Sequence, residues 1–141
     1  MHDQIKLVGE VQILKNNEVV LEKKNLIVQV GKNFLANAVL NTSSSPFVGM
    51  AIGTGTTPAD NSDTTLGTEV ARAAFTSSSV SANVVSLSNT YGAGTGTGSI
   101  SEAGIFTNAT SGGTMLSHVV FTSVGKGALD TLTINWTITV G

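Results

Sequence analysis

The chain has 141 residues, a length that fits one domain with a real hydrophobic core. Hydrophobic residues make up 40% and charged residues only 11%, against roughly 25% charge in an average soluble domain, so the chain is not disordered and its polar surface rests on 15 Ser and 19 Thr. A net charge of −2 without clustered Lys or Arg excludes a nucleic-acid footprint, and the lack of cysteine excludes disulfides and thiolate metal sites.

A mean hydropathy of +0.24 with so little charge gives weak colloidal repulsion, which hints that other chains cover part of the surface. Charge is concentrated at the start: residues 1–32 hold nine of the sixteen charged side chains, including Lys6, Lys15, Lys23, Lys24 and Lys32. These charges interrupt the apolar residues, so the N-terminus lacks the apolar run of a signal peptide. No stretch approaches the length of a membrane span.

Residues 5–14 (IKLVGEVQIL) read as a strand with Gly9 as a bulge position, and Lys15-Asn16-Asn17 as a turn. Residues 18–30 continue as one long or two short strands, so residues 1–30 are expected to form an N-terminal β-meander. Glu22-Lys23-Lys24 fits a solvated strand face. At residues 31–40 the period changes. Phe34, Leu35, Ala38 and Val39 have helical spacing and predict a short helix before the polar run at 41–46.

Residues 47–53 (FVGMAIG) read as a short buried strand, followed by a Gly-, Thr- and Asp-rich loop from Gly53 to Glu69 that is expected to be exposed. Strands are predicted over 70–76 and 80–88, separated by Ser77-Ser78-Ser79. A second glycine-rich loop spans Asn89–Gly98. Residues 99–107 and 114–123 flank a hairpin turn at Gly112-Gly113. From Thr131 to Val140, Leu132, Ile134, Trp136, Ile138 and Val140 alternate with Thr131, Thr133, Asn135, Thr137 and Thr139. This period of two requires a strand with one buried and one polar face.

About eight short strands joined by turn signals predict a single all-β domain over 1–141, an antiparallel β-sandwich or small barrel of jelly-roll or Ig-like type with one short helix.

No catalytic, cofactor-binding or metal-binding residue emerges. His2 and His118 are isolated, and His118 reads as a strand histidine with a local hydrogen bond. No Gly-x-Ser-x-Gly elbow positions a nucleophile. The glycines at 53 and 55 and at 94, 96 and 98 lack the following helix of a phosphate loop. Asp60-Asn61-Ser62-Asp63 starts like a calcium loop, but its spacing fails after Asp63, and an Asx-stabilised turn explains the same residues. A carbohydrate site needs exposed aromatics, and Tyr91, on the second glycine-rich loop, is the one candidate to contact a ligand or partner. Trp136 belongs to the core face.

Three stretches together resemble small structural proteins of tailed bacteriophages: AIGTGTTPADNSDTTLGTEVAR (Ala51–Arg72), ISEAGIF (Ile100–Phe106) with GGTMLSHVVF (Gly112–Phe121), and KGALDTLTINWTITV (Lys126–Val140). The resemblance covers residues 47–140, about two-thirds of the chain. It implies a virion component without catalysis or cofactor. Within that class a capsid decoration (cement) protein is expected, with the major capsid protein and other copies of itself as partners, and no nucleic acid or membrane. Such proteins often form trimers. A tail, neck or fibre component is the alternative, and a host-surface or carbohydrate-binding module the third. Residues 1–4 and the two Gly/Thr loops are the expected docking elements.

Overall fold

The computed structural model describes residues 6–40 and 45–141, so residues 1–4, expected to dock, lie outside the described residues. The described residues form ten strands and one helix. These are β1 (Leu7–Lys15), β2 (Glu18–Lys24), β3 (Leu26–Ile27), α1 (Gln29–Ala38), β4 (Gly49–Gly53), β5 (Glu69–Ala74), β6 (Ser77–Ser81), β7 (Val84–Tyr91), β8 (Gly98–Phe106), β9 (Met115–Lys126) and β10 (Leu132–Val140). They assemble into two five-stranded antiparallel sheets, ordered β2-β1-β10-β7-β6 and β3-β9-β8-β4-β5. The fold is an all-β sandwich with one short helix.

The alternating strand sits at the centre of the first sheet, where β10 pairs with β1 along its whole length and with β7 from Leu132 to Thr139. Its inward residues Leu132, Ile134 and Trp136 are fully buried, and Ile138 nearly so. They face Met50, Ile52, Ile100, Ala103 and Ile105 of the second sheet in one core cluster. Burying each large apolar side chain contributes about 1.5–3 kcal/mol, which makes this interface the main source of stability. Val140, the last of the alternating set, is exposed at the sheet end.

Four local expectations are corrected. The first thirty residues do not form one meander: β1 and β2 make a hairpin through Asn16 (φ 50°) and Asn17 (φ 69°), but β3 crosses to the other sheet and pairs with β9. The bulge falls between Ile13 and Leu14, not at Gly9, where the missing Cβ leaves room for the Asn25 side chain. The helix starts at Gln29, two residues early, and its packed face is Val30, Gly31, Phe34 and Leu35, while Ala38 and Val39 are exposed. Gly31 lies directly on the β9 backbone, where a Cβ would come within 2.5 Å of the Leu116 carbonyl. Ser77-Ser78-Ser79 is no separator. These residues open β6, which pairs residue for residue with β7 around the turn Ala82-Asn83.

Outside the sandwich, the second sheet carries another layer. Val28, Ala51, Leu66, Phe106 and Met115 form a small apolar cluster on its outer face, under α1 and the loop that joins β4 to β5. This explains why β8 is buried from Ile100 to Phe106 without alternation.

Candidate functional site

Polar residues buried in apolar strands mark the site. Glu102 on β8 and His118 on β9 are 1% and 4% exposed. Both project from the outer face of the second sheet into the layer beneath the β4–β5 loop. Glu102 Oε2 accepts hydrogen bonds from the amides of Gly55 (2.7 Å) and Thr68 (2.8 Å), and Oε1 accepts one from Gly67 (2.8 Å). The His118 ring completes the set, with Nε2 2.9 Å from Glu102 Oε1 and Nδ1 2.7 Å from Asp63 Oδ2.

One carboxylate thus closes both ends of the loop. Gly55 leaves β4 and Gly67-Thr68 lead into β5, so Glu102 ties the neck of an Ω-like excursion. The Ser101 hydroxyl donates to the Gly55 carbonyl (2.6 Å), and the Thr54 amide to the Thr68 carbonyl (2.9 Å). Glycine is required at this neck by close approach: a Cβ at Gly55 would lie 2.3 Å from Glu102 Oε2, and one at Gly53 would lie 2.3 Å from the Thr68 carbonyl. Further out, Asp63 binds His118, and Asn61 meets α1 through the Gln29 amide and the Lys32 ammonium. Leu66 inserts into the apolar cluster below. The loop is largely exposed, as expected, and is fastened at its neck, its middle and its underside.

Burial opposes the charge on Glu102, but the amides of Thr68 and Gly67, the imidazole and the Gly55 amide outweigh it and hold the carboxyl below its ordinary value.

Chemically, this arrangement holds a loop. Every strong acceptor direction of Glu102 faces a donor of the chain, and both His118 nitrogens are occupied. The two carboxylates meet opposite edges of the ring and do not converge on one point. Among the described residues no group of three His, Asp or Glu side chains is placed to hold a metal ion.

Asp60 and Ser62 form the expected Asx turn, with Asp60 Oδ1 accepting from the Ser62 amide and hydroxyl. Gly94 and Gly96 adopt positive φ in the second loop, and Gly96 packs on Ile52. Tyr91 is corrected: it ends β7 at 1% exposure and donates its hydroxyl to the Met50 carbonyl (2.6 Å), so its ring belongs to the core and is not presented on a loop. Burial raises its phenol far above the usual range. Sequence reasoning missed Glu102 as an anchor and Lys126 altogether. Lys126 is 2% exposed, and its ammonium donates to the Gly92 carbonyl (2.8 Å). The available signal was a lone charged residue inside an otherwise apolar strand, as in SISEAGIF and TMLSHVVF.

Beyond the first thirty-two residues the pattern is general. Asp60, Asp63, Glu69, Arg72, Glu102, Lys126 and Asp130 are all engaged by contacts within the chain. Arg72 is the most elaborate: it pairs with Glu69, donates to the Asn108 and Gly112 carbonyls and lies 3.8 Å above the Phe106 ring. Comparison with known protein families, curated proteins and solved structures finds no match to this chain. No helix among the described residues is long and apolar enough to cross a membrane.

Proposed function

We propose that the chain is a non-enzymatic structural protein of a tailed-bacteriophage virion, and within the virion a capsid decoration protein that stabilises neighbouring major capsid subunits. The observation that carries this reading is the internal use of charge. All seven charged side chains of residues 33–141 are engaged by contacts within the chain, so the polar surface of this part rests chiefly on Ser, Thr and Asn, and the exposed charge is concentrated in residues 6–32. Such a surface carries little like-charge repulsion, so many copies can lie close together on a shell. The pinned loop adds a rigid surface, which lowers the ordering cost of docking. Many weak contacts of this kind then stabilise a shell by avidity.

The major capsid protein and further copies of the chain are the proposed partners, and the virion is the proposed location. The resemblance of residues 47–140 supports the virion class. The carbohydrate-binding reading loses its one aromatic contact, because Tyr91 is buried.

Binding to purified capsid shells tests the proposal. Shells incubated with the chain are expected to retain it through sedimentation and to withstand higher temperature before releasing their contents. Binding to isolated tails alone would overturn the decoration reading in favour of a tail, neck or fibre component. Failure to bind any virion part would overturn both.

A further inference from the structure

The four outer strands of the sandwich differ in how they are protected. A sheet edge exposes unpaired amides and carbonyls and invites pairing with another chain, which proteins prevent with charge, bulges, proline or short strands. At one side, β2 carries Glu18, Glu22, Lys23 and Lys24 and faces a bulge between Ile13 and Leu14. In the second sheet β3 has only two residues, and β5 carries Glu69 and Arg72 beside a bulge between Ile52 and Gly53. The fourth edge, β6, has none of these devices. Its sequence is SSSVS, every residue is exposed, and its five pairs with β7 run without a bulge.

We infer that β6 is a self-association edge, along which two copies of this chain pair antiparallel about a two-fold axis to join their sheets. A second copy is the occupant this edge suits. In a two-fold contact each surface meets itself, so a charged edge would set its own charges side by side, and β6 has none. The pairing that overlaps all five residues is centred on Ser79, with Ser77 of one copy opposite Ser81 of the other and Ser78 opposite Val80. It keeps each residue on its own sheet face, because the partners have the same parity along the strand.

Two surrounding features continue across such a joint. On the outer face a ladder of side-chain hydrogen bonds runs from Glu22 to Gln12, Asn135 and Ser88, and Ser88 pairs with Ser77 of β6. On the inner face Val80, 71% exposed, lies opposite Val85, which lines an open apolar cleft of about 250 Å³ between the sheets with Phe75 and Leu87. Pairing would shield Val80 from water.

Five paired residues span about 17 Å, and such a contact falls short of the roughly 1,200 Å² of a stable interface. Association in dilute solution is therefore weak, with a Kd on the order of 0.1 mM or above, and grows where copies are concentrated. The inference concerns this edge and does not depend on the virion reading.

The absence of cysteine permits a direct test, since a single introduced thiol is the only one in the chain. Cysteine is placed in turn at 77, 78, 79, 80 and 81, and Ser111→Cys in the exposed hairpin loop is the control. Only the residue on the axis meets itself, so Ser79→Cys is expected to form disulfide dimers at least about tenfold faster than the control, with the rate falling on both sides. Sedimentation up to about 1 mM is expected to show a concentration-dependent dimer that Ser79→Lys abolishes, while the Tm of the dilute Ser79→Lys protein stays within about 2 °C of the parent. Equal oxidation at all positions and the control, a monomer at every concentration, or full dimerisation of the lysine variant would each overturn the inference.

Discussion

Replacing Glu102 by Gln removes one charge and almost no volume, which makes it the sharpest probe of the pinned loop. In the parent, Oε2 holds Gly55 and Thr68 while Oε1 holds Gly67 and His118. The glutamine amide keeps one oxygen. Placed at the Oε2 position, that oxygen retains two neutral hydrogen bonds, but the NH₂ group then points at the Gly67 amide. Bonds to a charged acceptor are worth about 1.5–3 kcal/mol and neutral ones about 0.5–1.5, while a buried donor left unpaired costs about 1–3. Two bonds weakened by about 1–1.5 kcal/mol each and one buried amide left unpaired at about 1–3 sum to a destabilisation of about 3–6 kcal/mol.

Urea denaturation of parent and variant measures this difference through the shift in midpoint at unchanged slope. The pH dependence supplies the sign. Because the folded-state carboxyl is held below its ordinary value of 4.5, its stabilisation is complete above that value and is lost as pH falls through the lower folded-state value. The part of the difference that comes from the Glu102 charge should shrink below about pH 4.5. A cost below about 1 kcal/mol at pH 7, or a difference that does not change down to pH 3, would refute the claim that Glu102 ties the loop by its charge.

Three further substitutions probe other parts. Arg72→Lys keeps the charge but loses the planar fork shared among Glu69, two carbonyls and the Phe106 face, and should lower stability by about 2 kcal/mol in calorimetry. Ala82, at φ +52° in the β6–β7 turn, adopts a conformation that favours glycine, so Ala82→Gly should stabilise by about 0.5–1 kcal/mol in urea unfolding. Gly31→Ala sets a methyl against the Leu116 backbone and should destabilise by about 1–3 kcal/mol, with faster hydrogen exchange confined to α1. An unchanged exchange pattern would contradict the packing described for the helix.

How far the fold is readable from sequence depends on how each strand is buried. The strand from Leu132 to Val140 is legible because one face meets the core and the other meets water, which writes a period of two into the residues. In β8 both faces are covered, one by the opposite sheet and one by the β4–β5 loop, so residues 100–106 carry no alternation to read. Local composition misleads at β6, where three serines resemble a turn but pair along β7. Tyr91 follows a strand and precedes glycines, which suggests a loop tip, yet its ring fills the space between the sheets. The Glu102 site is the least legible part. Its donors stand 47, 35 and 34 residues away, and only tertiary folding brings them to one carboxylate. Gly55, Gly67, Glu102 and His118 stand far apart in the chain, and their convergence on one loop neck is the physical reason they occur together.

The proposed place of the chain is a virion, and locating it in tailed-phage particles tests that proposal most directly. Gradient-purified particles, analysed by mass spectrometry and then by cryo-electron microscopy, are predicted to contain the chain in many copies, with sandwich-shaped density on the outer face of the capsid. Particles that lack the chain altogether would contradict the account.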